Sequence, residues 1–168
     1  TATSNTVLIG VNAGTAINNT GASGTVAIGF KAGERHTSGG GCVYVGNAAG
    51  DHCTDGHRNV AIGEASLSGN ADDDNVAVGY GALGACTGTD NVAIGDQALK
   101  VNTTASNNTA VGSSALAANT TGANNVALGQ LALDANTTAS YNIAIGVNTL
   151  GATTTGADNT AMGNAAMN

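Results

Sequence analysis

The stretch from residue 91 to residue 112 decides the fold, and it reads NVAIGDQALKVNTTASNNTAVG. It opens with a five-residue box, Asn-Val-Ala-Ile-Gly, and closes on a second copy of the box. Related boxes run along the whole chain, with successive glycines 16 to 19 residues apart. The ten box glycines are Gly10, Gly29, Gly46, Gly63, Gly79, Gly95, Gly112, Gly129, Gly146 and Gly163. This fixed period indicates an array of ten repeats.

The residue types within each repeat predict the fold class. Val, Ile and Thr favour short strands, and the recurring Gly and Asn favour turns between them. A 17-residue unit is too short for a pair of helices, and it lacks helical periodicity. We therefore expect an all-β, parallel β-solenoid (a β-roll or β-helix) of about ten 16–19-residue rungs, stacked about 4.8 Å apart. We expect residues 1–168 to form one repeat domain, irregular over 1–58 and regular over 59–168, and to be a segment of a longer fibre.

In-register stacking predicts ladders of identical residues along the solenoid axis. Stacked Asn side chains can bond the copies above and below, and a recurring Gly marks a corner with no room for a side chain or with a positive φ. The predicted asparagine ladder comprises Asn59, Asn75, Asn91, Asn108, Asn125, Asn142 and Asn159. The predicted glycine ladder comprises Gly63, Gly79, Gly95, Gly112, Gly129, Gly146 and Gly163.

The box also carries information about assembly. Its Val and Ile point to one side of the strand and the Ala between them points to the other. Neither side is charged, and a strand that is apolar on both faces is expected to be buried on both. One face can fill the thin interior of the coil, and the other then needs a partner surface. We therefore expect an intertwined or side-by-side homotrimer.

The composition excludes several function classes. A net charge of −7 and a pI near 4.4 argue against a nucleic-acid partner. No apolar run approaches the roughly 18 residues that a membrane-spanning helix needs. Three Tyr and one Phe are the only aromatic residues, and the carboxylates are scattered over different repeat positions. Without a catalytic triad pattern or a phosphate-binding loop, we expect no enzymatic activity and no cofactor.

Two short stretches contain residue types that bind metals. His52, Cys53 and His57 are weak candidates for zinc ligands, but no Cys-x-x-Cys pair accompanies them. The run Asp72–Asp74 offers carboxylates that calcium prefers, but it lacks an EF-hand loop pattern. A solvated loop and a solvated turn are the favoured interpretations of these two stretches.

The remaining sites of possible chemistry are thiols and glycosylation sequons. Cys53 and Cys86 lie two repeats apart, too far for a disulfide, and Cys42 replaces a ladder Asn. We therefore expect all three cysteines to be small buried residues. Five Asn-x-Thr sequons arise from the repeat itself, at Asn18, Asn102, Asn107, Asn119 and Asn136.

The box and the recurring Asn-Thr-Thr turn together resemble the repeats of bacteriophage tail fibres, particularly cyanophage-like ones. They are also similar to the head repeats of YadA-type trimeric autotransporter adhesins. The resemblance implies a trimeric, left-handed parallel β-roll on a virion or cell surface, which binds itself and a host glycan or protein receptor. The adhesin head repeat is shorter than the 17 residues found here, so coil shape and handedness do not transfer.

Three functions are therefore expected, in order. The first is a phage tail-fibre shaft or head that supports host attachment, with any specific binding in the irregular region from Phe30 to Arg58. The second is a bacterial surface adhesin head. The third is an ice-binding solenoid, because Thr recurs eight residues after most box glycines. Adjacent pairs such as Thr103 and Thr104 are expected to point to opposite sides, which favours a turn over an ice-binding face.

Overall fold

The computed structural model describes residues 5–17 and 21–168 and shows one continuous parallel sheet. Each strand has three residues and pairs in register with the strand of the next repeat. The predicted all-β parallel β-solenoid is thereby confirmed. The strands, in chain order and sheet order alike, are β1 (Val7–Ile9), β2 (Val26–Ile28), β3 (Val43–Val45), β4 (Val60–Ile62), β5 (Val76–Val78), β6 (Val92–Ile94), β7 (Thr109–Val111), β8 (Val126–Leu128), β9 (Ile143–Ile145) and β10 (Thr160–Met162).

Each strand stops at its box glycine, where the coil turns a corner. The ten box glycines have φ between 124° and 140°, a region that side chains rarely adopt. A Cβ built on Gly95 would lie 2.6 Å from the carbonyl of Gly112 in the next coil. Both the backbone angle and the close approach of the next coil therefore require glycine.

The coil then tightens through residues in left-handed conformation. Hereafter, position +n means n residues after a box glycine. Leu99 and Leu116, both at position +4, have φ of 50° and 51° and are fully buried. A left-handed L-residue costs roughly 1–2 kcal/mol, whereas full burial of a Leu side chain contributes roughly 1.5–3 kcal/mol. Burial therefore offsets the strain, and a large apolar residue is tolerated at this corner.

The interior of the regular coils is built from small residues and one leucine. In the coil of β6, Ala93 at the strand centre and Ala98 and Leu99 after the corner are all inaccessible to solvent. The first and third strand residues, here Val92 and Ile94, face outwards and are partly exposed. Of the two apolar faces of the box, the alanine face therefore fills the core, because the space opposite the Leu side chain admits only a methyl group.

The first three coils fill the same space from the opposite wall. They carry Gly at position +4, namely Gly14, Gly33 and Gly50, and a larger residue at two of the strand centres. Tyr44 at the centre of β3 is fully buried, and its ring lies where side chains on Gly33 and Gly50 would be. The aromatic ring thus replaces the leucine of the regular coils, and the glycines make room for it.

Candidate functional site

The box asparagines form a buried ladder that joins coil to coil. Asn91 Oδ1 accepts a hydrogen bond from the backbone N–H of Asn108 at 3.1 Å and from its Nδ2 at 3.3 Å. Asn108 Nδ2 also donates to the carbonyl of Gly122 at 2.9 Å. Backbone-to-side-chain bonds of this kind connect every successive pair from Asn59 to Asn159. These amides satisfy polar groups inside a narrow core, which is a structural role.

A second asparagine ladder occupies position +7, and sequence analysis did not anticipate it. Asn119 Nδ2 donates to Asn102 Oδ1, and Asn136 Nδ2 donates to Asn119 Oδ1, both at 3.0 Å. The sequence feature that corresponds to this ladder is the recurring Asn-Thr-Thr turn. Its composition is typical of a surface turn, although its first residue faces inwards. All three Asn side chains are fully buried, so these sequons are closed to a glycosyltransferase in the folded chain. Asn107 is exposed, and Asn18 lies outside the described residues.

His36 takes the place of an asparagine at position +7 of the second coil. Its Nδ1 lies 3.1 Å from the carbonyl oxygen of Cys53, and its Nε2 lies 2.7 Å from that of Gly39. A neutral imidazole can donate to only one of these two acceptors, whereas an imidazolium donates to both. Burial lowers the pKa of His36, but Cys42 and the two carbonyls outweigh it, and the net pKa is raised.

The three cysteines are buried and free. Burial raises the pKa of Cys42, yet hydrogen bonding with His36 and Tyr44 outweighs it and the net pKa is lowered. Burial raises the pKa of Cys53 to about 12 and also raises that of Cys86. Cys42 Sγ lies 3.1 Å from the carbonyl oxygen of Gly56. A reactive thiol must be at least partly exposed, so these cysteines have a packing role.

The three weak zinc candidates do not converge. Cys53 faces the interior, whereas His52 and His57 are exposed on the outside of the coil. His52 Nδ1 lies 3.0 Å from an oxygen of Asp51, and His57 Nδ1 accepts a hydrogen bond from the backbone of Gly40 at 3.0 Å. In the described part of the chain, no three His, Cys, Asp or Glu side chains lie where they could hold a metal ion.

The acidic run at residues 72–74 is engaged by a neighbouring cation. Arg58 donates to Asp74 at 2.5 Å and 2.6 Å and to Asp73 at 3.1 Å. The guanidinium lowers the pKa of Asp74 despite a small opposing effect of desolvation. The interaction is exposed and joins two successive coils at their turns. These carboxylates therefore stabilise a turn.

The threonines at position +8 form an exposed or half-buried column whose hydroxyls bond to the next coil. Thr103 Oγ1 donates to the carbonyl of Thr120 at 2.9 Å, and Thr120 Oγ1 donates to that of Thr137 at 3.0 Å. Thr103 and Thr104 are both exposed, so neither side chain lies in the interior of the coil. The reason is that this segment forms a bend instead of a strand, and strand alternation does not apply to it.

The most extended surface feature is the outer face of the sheet, which we call the apolar stripe. It consists of the first and third residues of the ten strands, none of them charged and none fully buried. Its members are Val7, Ile9, Val26, Ile28, Val43, Val45, Val60, Ile62, Val76, Val78, Val92, Ile94, Thr109, Val111, Val126, Leu128, Ile143, Ile145, Thr160 and Met162. Strand spacing and residue rise give it a length of about 45 Å and a projected area of about 450 Å².

Comparison with known proteins adds no relative: no family model, curated protein or solved structure matches this chain. Across residues 5–17 and 21–168, no helix is both long and apolar enough to cross a membrane. Function is therefore inferred from the geometry of the chain itself.

Proposed function

We propose that this chain is a structural segment of a homotrimeric fibre, a phage tail-fibre shaft or head that supports attachment to a host. The apolar stripe carries the proposal. Ile62, Ile94 and Ile143 are 41 %, 40 % and 39 % exposed in a single chain, and they repeat along the whole rod. A continuous apolar patch of this size is comparable to the largest patch on a typical monomer, which is often functional. Association of copies along the stripe would bury it.

The interior of the coil supports the same proposal. Ala supplies most of the buried apolar residues, so one chain has a thin core of its own. A second apolar layer, over the outer face of the sheet, would have to come from another chain. Cyclic symmetry lets identical stripes meet around one axis. The three thiols and the His36 imidazole are buried, and the proposal includes no enzymatic activity or cofactor. The site of action would be a virion or a cell surface.

The mass of the full chain in solution tests the proposal. Multi-angle light scattering is expected to give about three times the chain mass of 16.0 kDa. Replacing Ile94 and Val126 with Lys places two charges per chain in the stripe, and the trimer is expected to dissociate.

The matched control is Thr104→Lys, which adds a charge on the exposed threonine bend and is expected to leave the mass unchanged. A wild-type monomer at micromolar concentration would contradict the trimer. A trimer that survives both stripe substitutions would place the interface elsewhere.

Two further functions compete with this proposal. An adhesin head would share the fibre architecture and would be separated from a passive shaft by direct binding to host-surface glycans. An ice-binding solenoid is favoured only by the exposed threonine column. Its hydroxyls already donate to backbone carbonyls within the chain, which leaves fewer donors for ordered water. Thermal hysteresis of the purified chain would support the ice-binding function, and a lack of thermal hysteresis would exclude that function.

A further inference from the structure

The surface of the fifth coil contains a cavity that the repeat does not explain. It has a volume of about 400 Å³, within the range of small-ligand sites. We call it the Tyr80 notch and define it by Tyr80, Gly81 and Gly84 of one coil, Ser68 of the coil before, and Gln97 and Lys100 of the coil after. All of these residues follow a box glycine, so the notch lies past the corner from the apolar stripe.

The notch exists because two side chains are absent from a single coil. Positions +2 and +5 are Gly81 and Gly84 here, whereas the next coil has Gln97 and Lys100 at the same positions. The coil before has Ala65 and Ser68 there. Successive coils are stacked in register, so the missing side chains leave a gap between the side chains above and below.

The fold does not require either glycine. Gly81 has φ of 60°, but Ala65 and Gln97 hold the same position with φ of 53° and 55°. A Cβ on Gly81 would meet nothing closer than Gln97 Cγ at 3.9 Å. On Gly84 it would lie 3.3 Å from the carbonyl oxygen of Gly81, so only a small adjustment is needed. These glycines therefore differ from the nine box glycines from Gly10 to Gly146, whose Cβ would collide with the next coil.

The notch combines an aromatic surface with a cation. The Tyr80 side chain is 54 % exposed. Lys100 Nζ donates to Gln97 Oε1 at 3.1 Å, and no carboxylate of the described residues lies within ion-pair distance of it. By contrast, Lys31 pairs with Glu34, and Arg58 pairs with two aspartates. Lys100 is also the single cationic residue after Arg58 in a chain of net charge −7.

We propose that the Tyr80 notch binds one acidic sugar residue, a pyranose that carries a carboxylate. The apolar C–H face of the ring would pack on the Tyr80 ring, which offers a flat, partly apolar surface. The carboxylate would accept a charge-assisted hydrogen bond from Lys100. The Gln97 amide nitrogen, which has no hydrogen-bond partner among the described residues, would donate to a ring hydroxyl. This binding site goes beyond the fibre function and does not depend on the trimer.

Titration of the full chain with D-glucuronate and with D-glucose tests the proposal by calorimetry and saturation-transfer NMR. Glucuronate is expected to bind. Glucose is expected to bind at least about tenfold more weakly, because it lacks the carboxylate and so loses one charge-assisted hydrogen bond. Lys100→Met is expected to reduce glucuronate affinity about tenfold or more by the same reasoning. Tyr80→Ala is also expected to reduce the affinity, because it removes the flat surface on which the sugar ring packs. Binding is also expected to weaken as salt is added.

The decisive variant fills the notch while keeping the fold. Gly81→Gln with Gly84→Ser copies residues that neighbouring coils already hold at these positions, and it is expected to abolish binding without changing the far-UV circular dichroism or the oligomer mass. Phe30→Ala and Lys31→Met are the controls, since Phe30 holds the position of Tyr80 in the second coil and the neighbouring Lys31 is paired with Glu34. Equal binding of glucose, no binding of glucuronate by the wild type, or undiminished binding by the filled variant would each overturn the proposal.

Discussion

The core of each coil is filled from two facing positions, the strand centre and position +4, and the larger side chain can stand at either one. In the regular coils a Leu at position +4 faces an Ala at the strand centre, whereas in the third coil Tyr44 faces Gly50. The glycine at position +4 was visible in the sequence, and so was the Tyr inside the box. The sequence does not show that the Tyr ring fills the space left by the glycine, because this depends on knowing that the two positions face each other across the core.

Tyr44→Ala tests this exchange. Loss of the largest buried side chain is expected to reduce the free energy of unfolding by about 3–5 kcal/mol, the usual cost of removing a buried aromatic ring. Adding Gly50→Leu recreates the Ala and Leu pair of the regular coils and is expected to recover most of the loss. Urea denaturation of the wild type and of both single and double variants measures the coupling. A double variant no more stable than Tyr44→Ala would contradict the exchange.

His36 makes the stability of the irregular coils depend on pH. Its pKa is raised in the folded chain, so its contribution is fully present below the ordinary value of 6.5 and is lost as the pH rises through the folded pKa. Cys42, whose pKa is lowered, acts in the opposite direction, because its contribution is lost as the pH falls through its folded pKa. The ring resonance of His36 in an NMR titration is therefore expected to have its midpoint above 6.5.

The unfolding free energy should decline with rising pH around that midpoint, and His36→Asn should flatten the decline. Asn is a suitable replacement because it occupies position +7 in three regular coils. His52→Asn, an exposed substitution, serves as the control and should keep the wild-type slope. A midpoint below 6.5 for His36 would show that burial dominates.

At the scale of the strand and its turn, the period of the boxes predicted where each strand lies. It did not predict which face of the strand is inside, because Val, Ile and Ala are all apolar and the pattern gives no preference. Which face points inwards depends on the volume of the interior. Because a Leu lies across the core, only a methyl group, such as that of Ala93 or Ala110, fits at the strand centre. The Tyr80 notch was equally hidden, since two glycines become a cavity only when the coils above and below are in register.

The asparagine ladder is the element that holds successive coils together, and Asn108→Ala tests its strength. The substitution leaves the N–H of Asn125 without its side-chain acceptor, and the carbonyl of Gly122 keeps only the hydrogen bond from Asn119. One unsatisfied buried group costs about 1–3 kcal/mol, so a loss of that size in the free energy of unfolding is expected in chemical denaturation. The exposed Thr104→Ala is expected to change stability by less than about 0.5 kcal/mol. Similar losses for both variants would argue against a structural ladder.

At the scale of the whole molecule, the solenoid is a stack in which each strand pairs only with its sequence neighbours. Removing one complete coil should therefore leave the rest intact, as nearest-neighbour stacking implies. Deletion of residues 109–125 joins Asn108 to Val126 and regenerates an intact box. The shortened chain is expected to keep a cooperative unfolding transition and the same type of circular dichroism spectrum.

Deletion of residues 109–116 alone is the matched control, because it removes about half a coil and breaks the register of every later ladder. That chain is expected to lose most of its cooperativity. If both deletions behave alike, coil periodicity does not govern stability.

The sequential order of the sheet has a mechanical consequence for the rod. A force applied to the two ends of one chain would act first on the outermost coil, because each strand is hydrogen-bonded only to the strands before and after it. Release of one coil frees about 17 residues, or roughly 58 Å of extended chain. The rod would therefore lengthen in small, nearly equal steps and dissipate a sudden load gradually.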